Sequence, residues 1–140
     1  MSITSDHVGR SYPPTRPYEV SAAKIAEYAA ALGETGAAEA APPTFAVVVA
    51  SAAWQQLFDD RDLGLALNRI VHADQRFTFD RLLQPGDRVQ AILTIDQVRV
   101  RAGTELISAT TRIEATVEGD EPELVCTAQA TFVHSREVAA

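Results

Sequence analysis

With 140 residues, 46% of them hydrophobic and 22% charged, the chain has the size and balance of one globular domain spanning residues 1–140. A formal net charge of −7 argues against nucleic acid or an anionic membrane surface as partner. The single cysteine, Cys126, excludes an internal disulfide and a thiolate metal site, and its neighbours Leu124, Val125 and Ala128 predict a buried strand residue.

Residues 1–6 carry neither a basic nor an apolar leader pattern, and the longest apolar run, around 45–54, is too short to span a bilayer. A cytoplasmic protein is expected. Gly9, Pro13, Pro14 and Pro17 predict an extended, non-helical lead-in, followed by a short strand at Tyr18-Glu19-Val20. Ser21 is a good N-cap, and Ile25, Tyr28, Ala29 and Leu32 recur at helical spacing until Gly33. Pro42 and Pro43 fit the approach to a second helix, which carries no charge until Asp59. Phe45, Val47, Val48, Val49, Ala50, Ala53 and Trp54 cover most of its circumference, the pattern of a buried helix.

After Asp62 the period changes from helical to two. Residues 68–79 predict a strand with Phe77 and Phe79 on one face, and His72 sharing a face with Asp74 instead. Residues 89–100, then a run from Ile107 to Val117, then 124–133 follow, separated by turns at Gln84-Pro85-Gly86-Asp87, Ala102-Gly103 and Gly119-Asp120-Glu121-Pro122. Three long strands joined by short turns form an antiparallel meander. One apolar helix and one antiparallel sheet predict an α+β domain, with about five strands wrapped around a central helix in the hot-dog arrangement. Such a protomer leaves a sheet edge and part of its helix uncovered, which a second copy or a homologue would cover.

Five stretches stand in a distinctive order. They are Val8-Gly9-Arg10-Ser11-Tyr12-Pro13-Pro14, Tyr18-Glu19-Val20 with Lys24-Ile25, Pro42-Pro43-Thr44-Phe45, Val71-His72-Ala73-Asp74-Gln75-Arg76-Phe77 and Pro85-Gly86-Asp87. Together they resemble the MaoC-like (R)-specific hydratase and dehydratase family, in particular the HadA-like subunit of actinobacterial (3R)-hydroxyacyl-acyl-carrier-protein dehydratases. The resemblance implies an acyl thioester of acyl carrier protein or coenzyme A as ligand. It also implies no cofactor or metal, and a dimer formed with itself or with a homologous catalytic hot-dog chain.

Active members of that family carry a Gly-Asp-x-Asn-Pro-x-His segment. Here Gly33, Glu34 and Glu39 stand at the glycine, aspartate and histidine positions, Gly36 and Ala37 replace Asn-Pro, and Pro42 follows at once. The chemistry needs an imidazole and a carboxylate to move a proton and activate water. The chain therefore reads as an acyl-tunnel-forming subunit without the Asp/His pair. Glu34 and Glu39 remain as catalytic candidates only if both are held in a dry site with divided pKa values.

For substrate binding the candidates are Thr44 and Phe45, at the start of the second helix, with His72 and Asp74 in the following strand. Free backbone N–H groups from Thr44 onward would face a ligand's thioester carbonyl there. Two other readings stand beside the subunit reading. One is an acyl-thioester-binding homodimer without catalysis. The other is a hot-dog thioesterase, which would need a carboxylate on or beside the central helix, where Gln55 and Gln56 are the most polar side chains.

Overall fold

A computed structural model describes residues 1–34 and 40–136 of the chain. Short strand β1 (Tyr18–Glu19) leads into α1 (Ala22–Ala31) and α2 (Ala46–Asp59), and then come β2 (Ile70–Phe79), β3 (Arg88–Arg101), β4 (Thr104–Ala115) and β5 (Glu123–Ser135). All pairings are antiparallel, and the order across the sheet is β1-β3-β4-β5-β2. Helix α2 packs across β3, β4 and β5, which is the hot-dog arrangement expected from the periodicities.

Local chemistry accounts for the element ends. The Ser21 hydroxyl accepts the Lys24 N–H at 3.1 Å and caps α1. At its other end Gly33 adopts φ +84°, which lets the Glu34 N–H return to the Ala29 carbonyl at 3.0 Å. Ala102 and Gly103 both take positive φ, 50° and 79°, and close the two-residue hairpin between β3 and β4. The proline-rich lead-in cannot run as a regular strand. It is nevertheless tied along β3 by bonds of Gly9, Tyr12 and Thr15 to Ile95, Leu93 and Ala91.

The inner face of the sheet presents Val89, Ala91, Leu93 and Ile95 from β3, Ile107, Ala109 and Ile113 from β4, and Cys126, Ala128, Ala130 and Phe132 from β5, all buried. Against them lie Ala46, Val49, Ala50, Ala53, Trp54 and Leu57 of α2. Helix α2 is not buried all round: Val48, Ser51, Ala52 and Gln55 form an exposed stripe. Apolar residues on every side of this helix thus serve two surfaces, one against the sheet and one left open in the single chain.

The period-two reading of β2 fails at one point. A bulge between His72 and Asp74 inserts Ala73, so His72 pairs with Phe132 while Asp74 pairs with Thr131. His72 therefore shares the inner face with Phe77 and Phe79, and Asp74 points to the opposite face. The strand also begins at Ile70 and not at Asn68, because residues Leu67–Arg69 form a 3-10 turn.

The C-terminal end of α2 is latched to the lead-in through Asp60. Its carboxylate accepts hydrogen bonds from the Tyr12 hydroxyl at 2.6 Å, Arg10 at 2.7 Å and the Asp62 N–H at 3.1 Å. Burial alone pushes the Asp60 carboxyl up, but the bonds from Tyr12, Arg10 and Asp62 outweigh it and hold the group below the usual carboxylate range. The same burial, together with Asp60, raises the Tyr12 phenol. A pKa lowered on folding contributes stability that is complete above the unfolded value, about 4, and is lost as pH falls through the lower folded value. Asp60→Asn is therefore expected to flatten the acid side of the stability curve below about pH 4. Urea midpoints measured across acid and neutral pH test this, and an unchanged acid limb would contradict it.

Candidate functional site at the start of the central helix

Pro43–Phe45 form a 3-10 turn that runs directly into α2. The Phe45 N–H bonds the Pro42 carbonyl at 2.9 Å, and the Ala46 N–H bonds the carbonyls of Pro43 and Thr44. Proline has no N–H to offer at 42 or 43. Within the 3-10 turn this leaves the Thr44 amide without a partner among the described residues. The Thr44 side chain is held by the Tyr28 hydroxyl, which donates to its Oγ1 at 2.8 Å. Tyr28 also stands edge-on to the buried Phe45 ring, centroids 5.3 Å apart, so α1 and α2 are fixed together at this end.

Two shallow hollows meet at Val48. One, of about 240 Å³, is lined by Lys24, Glu27, Tyr28, Phe45 and Val48. The other, of about 380 Å³, lies between the lead-in and α2, where Thr15, Arg16, Tyr18, Ala52 and Gln56 line it with Val48. The Tyr18 hydroxyl is buried and has no hydrogen-bond partner among the described residues. Lys24 and Glu27, which line the first of these hollows, are exposed and pair with each other at 3.8 Å.

The candidate acid–base residues do not converge here. Glu34 is exposed just past the end of α1, and Glu39 lies outside the described residues. All three histidines of the chain are engaged elsewhere. His7 bonds the Thr4 amide, and His134 bonds Glu105. His72 lies beside Trp54, ring centroids 4.8 Å apart, which is nine helical residues or about 14 Å along α2 from Phe45. Its Nε2 is 3.0 Å from Gln75 Oε1. Asp74 is on the outer face of the sheet, 3.5 Å from Arg76, and borders a polar hollow with Asp96, Ser108 and Gln129. His72 and Asp74 thus belong to different surfaces.

The helix glutamines are also occupied, Gln55 by Asp59 at 2.9 Å and Gln56 by the Pro13 carbonyl at 3.1 Å. Cys126 is a buried strand residue as expected, its thiol pushed up to about 11 by burial and then by Asp80. Among the described residues no three histidine, cysteine or acidic side chains are placed to hold a metal ion, and no helix is long and apolar enough to cross a membrane.

One polar assembly lies outside every candidate that the sequence offers. His134 is buried on the inner face of β5, and its Nδ1 lies 2.7 Å from Glu105, itself 1% exposed. Its Nε2 accepts the Ala66 N–H at 3.0 Å, so the proton sits on Nδ1 and is donated to Glu105. Arg136 bonds the other Glu105 oxygen and the Ile3 carbonyl. A signal exists in the alternation: the odd positions from Ile107 to Ala115 face inward, and one further step places Glu105 inside. The even positions of β5 do the same for His134.

The family model for the FAS1-like dehydratase domain region matches residues 6–128. The chain belongs to this family. A UPF0336 protein of Cutibacterium acnes, whose name states no activity, is 45% identical over 141 residues, covering 97% of this chain and 96% of its own length. The crystal structure of a C-terminally truncated HadBC (3R-hydroxyacyl-ACP dehydratase) complex from Mycobacterium tuberculosis superposes with a TM-score of 0.73 at 24% identity, over 94% of this chain and 99% of that one. A MaoC-like dehydratase gives 0.74 at 24% identity, over 93% of this chain and 42% of that one. The family match secures the MaoC-like dehydratase resemblance of the sequence, and the two solved structures secure the hot-dog fold.

Proposed function

We propose that this dehydratase-family chain is a non-catalytic, acyl-tunnel-forming subunit of the HadA-like kind. It binds the acyl part of a thioester of acyl carrier protein or coenzyme A and relies on a second, homologous hot-dog chain for the acid and base. The observation that carries this reading is the start of α2. It offers the Thr44 amide, which has no partner among the described residues, beside apolar hollows, and no described histidine stands there. In this reading Thr44 polarises the thioester carbonyl and Phe45 walls the acyl chain. His72, on the inner face next to Trp54, contributes to the distal part of the tunnel. Asp74, on the outer face, acts at the subunit edge and not on the acyl chain.

The thioesterase reading has less support, because α2 carries no carboxylate before Asp59 and both helix glutamines are committed to other bonds. The HadBC neighbour is itself a complex, which fits a fold that completes its site across two chains.

The purified chain is expected to show no measurable hydration of crotonyl thioesters. One general acid–base group is worth about 10² to 10⁴ in rate, and here the imidazole is absent together with its supporting segment. Robust turnover by the pure chain would overturn this reading. If that turnover then vanished in Glu34→Gln or Glu39→Gln, a two-glutamate mechanism would replace it.

A further inference from the structure

The hollow between the lead-in and α2 has the dimensions of a small-molecule site. Its volume of about 380 Å³ lies in the range of about 300–1,000 Å³ usual for such sites. Its α2 wall is aliphatic, formed by Val48, Val49 and Ala52. Two polar groups on the facing wall lack partners. Tyr18 pairs with the buried Val89 in the sheet register, so its ring turns to the inner face, toward α2. Its hydroxyl is buried there without a hydrogen-bond partner among the described residues. Arg16 stands two residues earlier. Pro17 holds Arg16 extended, and alternation sends the two side chains to the same side of the lead-in. Arg16 is exposed and makes no hydrogen bond or ion pair among the described residues. Thr15 and Gln56, also in the lining, are already engaged by the Ala91 N–H and the Pro13 carbonyl.

We propose that this hollow binds the carboxylate of a free aliphatic acid, with Arg16 and Tyr18 as its two donors and the tail laid along Val49, Ala52 and Val48.

The charge and number of the donors select the ligand. A buried phenol without an acceptor is unfavourable, and a ligand oxygen relieves it. A guanidinium beside it calls for an anion. A carboxylate has one charge and two oxygens, one for each donor. A phosphate would hold further charged oxygens against Val48, Val49 and Ala52, where nothing donates to them. A neutral alcohol would leave Arg16 unused.

Val48 also lines the hollow at the helix start. A tail that reaches it occupies ground that an acyl thioester needs, so the two ligands exclude one another. That exclusion rests on the thioester reading of the helix start; the carboxylate site does not. A free acid is what hydrolysis of an acyl thioester releases, so this class of reaction supplies the competing ligand.

Calorimetric titration of the full chain with decanoate, decanol and phosphopantetheine tests the site. Decanoate is expected to bind at least about ten-fold more tightly than decanol, and Arg16→Gln to remove that preference without changing decanol binding. Tyr18→Phe keeps the ring and deletes only the unpartnered hydroxyl. It should therefore fold with the parent's urea midpoint or a higher one, yet bind decanoate about ten-fold more weakly. Equal affinities for decanoate and decanol, or variants that hold decanoate like the parent, would overturn the carboxylate site. Phosphopantetheine that binds through Arg16 where decanoate does not would assign the hollow to the arm of the thioester, and would overturn it too. Decanoate that needs Arg16 and Tyr18 but fails to displace decanoyl-coenzyme A would establish the site and overturn the exclusion.

Discussion

Replacing Glu105 by alanine is expected to lower the unfolding free energy by about 3 kcal/mol. The carboxylate is buried between β4 and β5, where it accepts from His134 and Arg136. Removing it strands the His134 Nδ1–H in the core and leaves the Arg136 guanidinium without its counter-charge. The figure lies at the low end for a broken buried pair because Arg136 keeps about a third of its side chain, 34%, in water. The damage should spread to the N-terminus, since Arg136 also holds the Ile3 carbonyl and Ile3 is fully buried. Glu105→Gln retains an acceptor and is expected to cost roughly half as much. Urea unfolding followed by far-UV circular dichroism reads both, and an alanine variant within about 1 kcal/mol of the parent would show the network to be dispensable.

Phe132→Ala is expected to be more damaging, by about 3–5 kcal/mol. The ring is 1% exposed and stands within 5.2–5.3 Å, centroid to centroid, of Trp54, Phe58 and His72. It is the point where β5, the bulged part of β2 and the second half of α2 meet. Its loss leaves a cavity bounded by two rings of α2 and one of β2, which cannot all move inward to close it. Trp54 is the only tryptophan, so the near-ultraviolet dichroism reports this site directly and should fall even where the variant stays folded. Phe132→Leu should retain most of the stability, at a cost of about 1–1.5 kcal/mol. Equal losses for alanine and leucine would mean that ring contacts, and not volume, decide the site.

The α+β class, the two helices, the meander and the turns are legible in the sequence because each rests on local chemistry. Ser21 and Gly33 bound α1, and the alternation from Val89 or Ile107 has one dominant period. Two features are not legible. The bulge at Ala73 costs one residue and leaves no compositional mark, and it reverses the face of His72 relative to Asp74. The 3-10 turn at Pro43–Phe45 consumes amides that an ideal helix start would leave free. The sequence thus points to the right end of the right helix, with too many donors counted in it. Glu105 and His134 escape for a different reason: charged residues near strand ends look solvent-facing unless the alternation is carried through to the last pair.

The sheet order has a consequence for how the chain must be made. β2 leaves the ribosome directly after α2, yet its only neighbour in the finished sheet is β5, the last strand in the chain. At roughly 5–20 residues per second, the stretch from Phe79 to Ser135 takes on the order of several seconds to translate. For that interval β2 has two bare edges, and ribosomes on one message carry several such strands side by side. The alternating charges at Asp74 and Arg76 and the kink at Ala73 are features that discourage indiscriminate strand stacking. They guard the strand during synthesis, before there is a folded molecule to protect.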